Sequence, residues 1–183
     1  MLKLALTLFL QLANNPASNT IVPDAIVIHH TALTESDVRQ FPGTVTISTI
    51  NALHESRGYS VTCSGKVYHV GYHYLILPDG TVQQGRPENC TGAHTQGHND
   101  AIGISLVGNF SSREVSRETP RTSVPTREQV QALARLIVDI RTRYKIPCER
   151  MYRHNDLNHR TRCPGDLFPW QDFQLLIGCG SAN

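Results

Sequence analysis

Pro23-Asp24 opens onto Ala25-Ile26-Val27-Ile28, an uninterrupted apolar run that ends on His29-His30. A run of this kind reads as a central strand, apolar on both faces, rather than the alternating pattern of a strand with one wet face. It therefore demands cover on both sides, and it delivers two imidazoles to a strand end. Adjacent strand side chains point to opposite faces, so only one of His29 and His30 can serve a site on a given face while the other packs or hydrogen-bonds. Spacing does not choose between them.

The rest of the chain supplies that cover. Val45 to Ser56 carries Val45, Ile47, Ile50 and Leu53 with few breakers, which predicts a helix ended by Arg57-Gly58. Tyr72 to Leu77, the turn Pro78-Asp79-Gly80, and Thr81 to Gln84 predict a hairpin. Ala101 to Val107 is a second buried strand, and Ser60 to Lys66 is a loop or a short extra hairpin. Ser111 to Pro125 is a polar connection, after which Thr126 and Gln129 form a capping-box pair. Val130, Leu133, Ile137, Ile140 and Tyr144, with Leu136 beside them, make one apolar helical stripe that stops before Pro147. Strands and helices alternate unevenly and one strand pair is a hairpin. The expectation is a single α/β domain with a central mixed β-sheet flanked by helices. At 183 residues the chain is long enough to bury a real core. A formal charge of +2 without any Lys/Arg run gives no sign of nucleic acid, and a weakly positive surface suits an anionic polymer only loosely.

Two readings of residues 1–20 stay open. Met1-Leu2-Lys3 before the apolar Leu4 to Ala13 resembles an export signal, though no clean cleavage site follows. Alternatively Leu2, Leu6, Phe9 and Leu10 form one face of a packing helix that Asn14-Asn15-Pro16 would end. Either way the stretch is too short for a stable membrane anchor. Residues 21–183 form the domain proper.

A second chemical signal lies far along the chain, on what reads as one distant loop, where His154 and Cys163 stand nine positions apart and Pro164-Gly165 follow. As a bare metal motif this is weak, because no Cys-x-x-Cys occurs and a lone Cys is often a small core residue. Paired with an imidazole from the strand end at 29–30, it makes a donor set that zinc accepts. Two imidazoles and one thiolate would leave a fourth position for water, whose pKa the metal lowers, and the metal would polarise a substrate carbonyl. If Cys163 is a ligand, Cys63, Cys90, Cys148 and Cys179 remain, either as two disulfides in one of three connectivities or as reduced thiols.

Five stretches in order carry a resemblance. They are Ile26-Val27-Ile28-His29-His30-Thr31-Ala32; Val70-Gly71-Tyr72-His73-Tyr74-Leu75-Ile76 with Asp79-Gly80-Thr81-Val82 and Gly85-Arg86-Pro87; Gly92-Ala93-His94-Thr95; Asn99-Asp100-Ala101-Ile102-Gly103-Ile104-Ser105-Leu106-Val107-Gly108-Asn109-Phe110; and Arg153-His154-Asn155-Asp156 through Thr161-Arg162-Cys163-Pro164-Gly165. Over about residues 25–170 the chain resembles the zinc-dependent N-acetylmuramoyl-L-alanine amidases of the type 2 superfamily, which includes peptidoglycan recognition proteins and phage endolysins.

The resemblance implies hydrolysis of the amide between N-acetylmuramic acid and L-alanine in peptidoglycan. It implies Zn²⁺ held by His29, His154 and Cys163. Tyr72 falls where the family keeps a catalytic tyrosine, which orients the attacking water or hydrogen-bonds the developing oxyanion; on residue type alone it would be a strand aromatic on a half-buried face. Thr161 stands where relatives carry Lys or Thr and would donate to the oxyanion without adding charge; Arg160 and Arg162 are read as solvated. His94, His73 and Arg86 are implied as substrate-binding residues, His94 in the groove touching glycan or peptide and His73 flanking the site. Ser105 replaces the catalytic Glu of another branch, which argues against that branch. His54, His69, His98 and His159 are read as surface or packing residues. Ser60 to Val67 departs from the family pattern and is expected to rim the cleft. The other reading is a recognition module that holds peptidoglycan without cutting it; since such relatives typically lose the Cys ligand, Cys163 weighs against it. Partners are expected to be the glycan strand and stem peptide, with the chain a monomer. It acts on the cell wall: secreted or periplasmic if residues 1–20 are an export signal, otherwise cytoplasmic until release.

Overall fold

A computed structural model describes residues 20–33, 39–40, 43–113 and 123–180. The two readings of residues 1–20 thus fall outside the described residues, apart from Thr20, which bridges to Cys90.

The described residues form a five-stranded mixed sheet. In chain order its strands are β1 (Ile26–His30), β4 (Tyr74–Ile76), β5 (Val82–Gln84), β6 (Ile102–Leu106) and β7 (Met151–Arg153), laid out β5-β4-β6-β1-β7. β1 runs parallel to both β6 and β7, β4 runs parallel to β6, and only the β4–β5 hairpin is antiparallel. The expected mixed sheet is therefore what forms. A separate hairpin, β2 (Val61–Cys63) with β3 (Lys66–Tyr68), occupies the segment read as a loop or extra hairpin.

Both faces of β1 are covered, which is why its sequence does not alternate. On one face Ile26 and Ile28 join Ile102, Ile104 and Leu106 under α2 (Arg127–Tyr144), which contributes Leu133, Ile137 and Ile140. Phe173 of α4 (Trp170–Leu176) closes the same cluster. On the other face Val27 packs with Ala25 and Ala101. Beside it Leu75 packs with Val70 and with Ile50 of α1 (Ile47–Ser56).

The Thr126–Gln129 capping box forms as the sequence suggests. Gln129 does more: its buried amide donates to the carbonyls of Ile76 and Val107. The Val107 carbonyl thereby gains a donor just past the end of β6, and the Ile76 carbonyl, which already accepts from the Val107 N–H, gains a second.

At the far end of α2, Arg143, Tyr144 and Tyr74 all bond the Glu88 carboxylate, the two hydroxyls at 2.9 and 2.7 Å. Burial pushes the Glu88 pKa up, but these three donors outweigh it and bring it from 4.5 down to about 2. A carboxylate depressed on folding stabilises the fold above its ordinary pKa and loses that contribution as pH falls through the folded value. Arg143 is well exposed, so the contribution is discounted to about 1–2 kcal/mol. Glu88→Gln is expected to lower stability by that amount at pH 7 and by progressively less between pH ~5 and ~2. Denaturant unfolding at a series of pH values checks this; an unchanged difference at all pH values would refute it.

Two disulfides form, Cys63–Cys90 and Cys148–Cys179, and Cys163 remains a buried free thiol. The first ties the β2–β3 hairpin to the loop after β5. The second ties the entry to β7 to the end of α4.

Candidate metal centre

Parallel strands open a crevice at their carboxyl ends, and the candidate ligands collect there. His29 lies near the end of β1. His154 directly follows β7 and begins the single turn α3 (His154–Leu157). The register pairs Ile28 with Arg153, so His29 and His154 are the next residues along two neighbouring strands. Their rings stand 4.5 Å apart. This corrects one sequence expectation: His154 is not on a distant loop with Cys163 but at a strand end beside His29. β7 is three residues long, too short to show a hydrophobic period.

Cys163 arrives on the loop after α3 and is held by main-chain bonds. The Asn155 N–H donates to the Cys163 carbonyl at 2.8 Å, and the His30 N–H donates to its sulfur at 3.3 Å. Gly165 lets the loop lie flat against the turn after β6. It sits at φ 105°, and a Cβ there would fall 2.1 Å from the Phe110 carbonyl oxygen.

Candidate ligand atoms of His29, His154 and Cys163 all lie within 4.8 Å of one another, with His29 Nδ1 3.6 Å from Cys163 Sγ. Tetrahedral zinc bonds of ~2.0–2.3 Å hold neighbouring donors ~3.3–3.6 Å apart. The nitrogen–nitrogen–sulfur set fits zinc, and the His29–Cys163 pair already has the spacing of two zinc ligands. Electrostatics agrees. Burial, then the neighbouring rings of His94, His154 and His30, keeps His29 well below its usual pKa and so neutral. Burial also lowers His154 and pushes the Cys163 thiol up to about 12, against the pull of the His30 N–H. Two bare imidazoles and a buried thiol are poised to exchange one proton for a divalent cation.

The other imidazole of the pair, His30, faces away. Its Nδ1 accepts from the Phe110 N–H at 3.0 Å, which fastens the turn under Gly165. Tyr72 stands beside the ligands, its ring 5.3 Å from that of His29 and 5.6 Å from that of His54. Burial raises its pKa, so the phenol keeps its proton. Thr161 Oγ1 accepts from the Cys163 N–H at 3.1 Å, which leaves its own hydrogen to donate. Ser105 pairs in register with His29, and its buried hydroxyl faces the Tyr72 phenol, which it pulls down slightly against the larger effect of burial.

The three expected substrate contacts are all engaged by the protein itself. His73 is 0% exposed, and both ring nitrogens are engaged by backbone: Nδ1 accepts from the Gly103 N–H and Nε2 donates to the Cys90 carbonyl. Arg86 is also 0% exposed; its Nε and Nη1 donate to the Val70 and Thr91 carbonyls. Burial lowers it only to about 10, so it stays charged. Neither side chain is open to the solvent of the cleft. Both brace the wall behind it, because a buried guanidinium is stable only where carbonyls receive it. His94 lies behind His29, with its Nδ1 3.1 Å from His29 Nε2. The sequence signal for this packing is Gly103, a glycine in a strand interior, which marks a close approach.

The sequence of this chain matches the family described as N-acetylmuramoyl-L-alanine amidase over residues 18–166. It is 30% identical over 158 residues to the endolysin of Escherichia phage T7, covering 84% of this chain and 89% of that protein. It is 31% identical over 141 residues to peptidoglycan-recognition protein SC2 of Drosophila melanogaster, covering 76% of this chain and 66% of that one. The solved structure of the endolysin N-acetylmuramoyl-L-alanine amidase LysCS from Clostridium intestinale superposes with a TM-score of 0.67 at 31% identity, covering 88% of this chain and 87% of that one. With three candidate metal donors converging at the strand ends and a family match spanning the whole sheet, the chain belongs to the N-acetylmuramoyl-L-alanine amidase family.

Proposed function

We propose that this chain hydrolyses the amide between the lactyl group of N-acetylmuramic acid and L-alanine in peptidoglycan, with zinc as its cofactor. The convergence of His29, His154 and Cys163 carries the reading. Zinc bound there supplies a Lewis acid for the lactyl carbonyl and a water of lowered pKa. The chain's own residues supply the rest. Tyr72, held protonated by burial, donates a hydrogen bond to the oxyanion that develops on the carbonyl. The free hydrogen of Thr161 donates to the same oxygen or to the bound lactyl group. The His30 N–H on the sulfur offsets the charge of the Cys163 thiolate. Substrate then lies in front of His29 and Tyr72, while His73 and Arg86 support the wall.

A recognition module that binds without cutting is the weaker reading, because the thiol such modules typically lack is present and in place. The chain acts on the cell wall as a monomer in this account, and two disulfides support an oxidising destination, secreted or periplasmic. No described helix is long and apolar enough to cross a membrane.

Purified protein incubated with muropeptides is expected to release peptides with a free N-terminal L-alanine, and a chelator is expected to stop the release until zinc is restored. Intact substrate with zinc demonstrably bound would overturn the proposal.

A further inference from the structure

Among the described residues His94 meets the candidate ligands at His29, and the hydrogen-bond chain behind it has one direction. A carbonyl only accepts, so the Ala101 oxygen, 3.0 Å from His94 Nε2, places the His94 hydrogen on that nitrogen. In a neutral ring, Nδ1 is then an acceptor. His29 Nε2 stands 3.1 Å from it and must be the donor, since the alternative would face two lone pairs across a buried gap. That assigns the His29 hydrogen to Nε2 and leaves Nδ1 bare, on the side where Cys163 Sγ lies 3.6 Å away. Thr95 Oγ1, at 3.1 Å from His94 Nδ1 and 3.5 Å from His29 Nε2, can accept or donate and is compatible with this order.

The ring of His94 is also fixed in space. A Cβ on Gly103 would fall 2.4 Å from His94 Cδ2, and one on Gly92 would fall 2.5 Å from the same atom, so the imidazole fills a slot that two glycines leave. The N–H groups of His94 and Thr95 both donate to Asn99 Oδ1 at 2.9 Å, which locks the turn that carries the ring.

We propose that His94 is a positioning residue: through its bond to Ala101 it fixes the tautomer and ring orientation of His29, so that His29 Nδ1 is presented to the metal. This rests on the metal-binding reading of the same cleft but does not depend on which bond the protein cuts. Partners of this kind on a ligating histidine change metal affinity by ~10–100-fold when removed.

The test uses two variants of the full chain. His94→Leu removes the acceptor at similar size. His94→Asn keeps an acceptor oxygen where Nδ1 stood. Zinc affinity is measured by competition with a chelator, and the ring nitrogens of His29 are followed by ¹⁵N NMR in the metal-free protein. The wild type is expected to show His29 protonated on Nε2, His94→Leu to bind zinc ~10–100-fold more weakly with a mixed His29 tautomer, and His94→Asn to recover most of the affinity. A metal-free wild type with its His29 proton on Nδ1 overturns the proposal whether or not the variants fold. So does a folded His94→Leu that keeps wild-type zinc affinity. Loss of zinc affinity in a protein that never cleaves muropeptides would instead sink the amidase reading and leave this one standing.

Discussion

Cys163→Ser is expected to abolish hydrolysis while leaving the fold in place. The side chain is 7% exposed, and the exchange conserves shape, so the metal-free protein loses little packing. What it loses is the soft donor. Serine at this site keeps its proton and is a poor zinc ligand. A Lewis acid at an acyl centre contributes several kcal/mol to the transition state, and at ~1.36 kcal/mol per tenfold the rate should fall by ~10³-fold or more. Bound zinc after dialysis should fall with it, while sedimentation with peptidoglycan should persist. Substantial hydrolysis by Cys163→Ser would mean that the thiol is only a buried core residue.

Tyr72→Phe should separate chemistry from metal binding. The phenyl ring keeps the packing against His29 and His54, so neither the fold nor zinc affinity should change. Only the hydroxyl is lost. Removing one donor aimed at an oxyanion costs ~10²–10³ in kcat. The fall should appear in kcat rather than in KM, because the bond strengthens as charge develops. A variant with wild-type kcat would return Tyr72 to the role its residue type alone suggested, an aromatic on a half-buried strand face.

The parts of this fold that announced themselves in the sequence are those with a long period or a strong stop. β1 opens on an unbroken apolar run, β6 sets Ile102, Ile104 and Leu106 around Gly103 and Ser105, α2 carries one apolar stripe along 18 helical residues with a capping box, and the β4–β5 turn carries Pro78-Asp79-Gly80. β7 and α3 gave no such signal, since three and four residues fix no periodicity. They nonetheless set His154 beside His29, so the nearness of the two imidazoles could not be read from spacing. The choice between His29 and His30 was likewise invisible, because alternation says only that the two differ. It is decided by the packing of Ile26 and Ile28 under α2: His30 shares their face, and His29 shares the face of Val27.

The resemblance implied the ligand set and placed three neighbours among the substrate contacts. His94, His73 and Arg86 are polar residues close to the cleft, which in a sequence reads as contact with a ligand. The structure turns them to backbone carbonyls, backbone N–H groups and His29 instead. Polar side chains are as often needed to support a site as to line it. The glycines at 92 and 103 were the one written trace of that support.

Anomalous X-ray diffraction on either side of the zinc absorption edge, from crystals of the zinc-loaded protein, tests the central claim most directly. The account predicts a single peak bonded to His29 Nδ1, His154 and Cys163 Sγ, with a non-protein oxygen at the fourth corner. A peak elsewhere, or a zinc closed by four protein ligands, would contradict it.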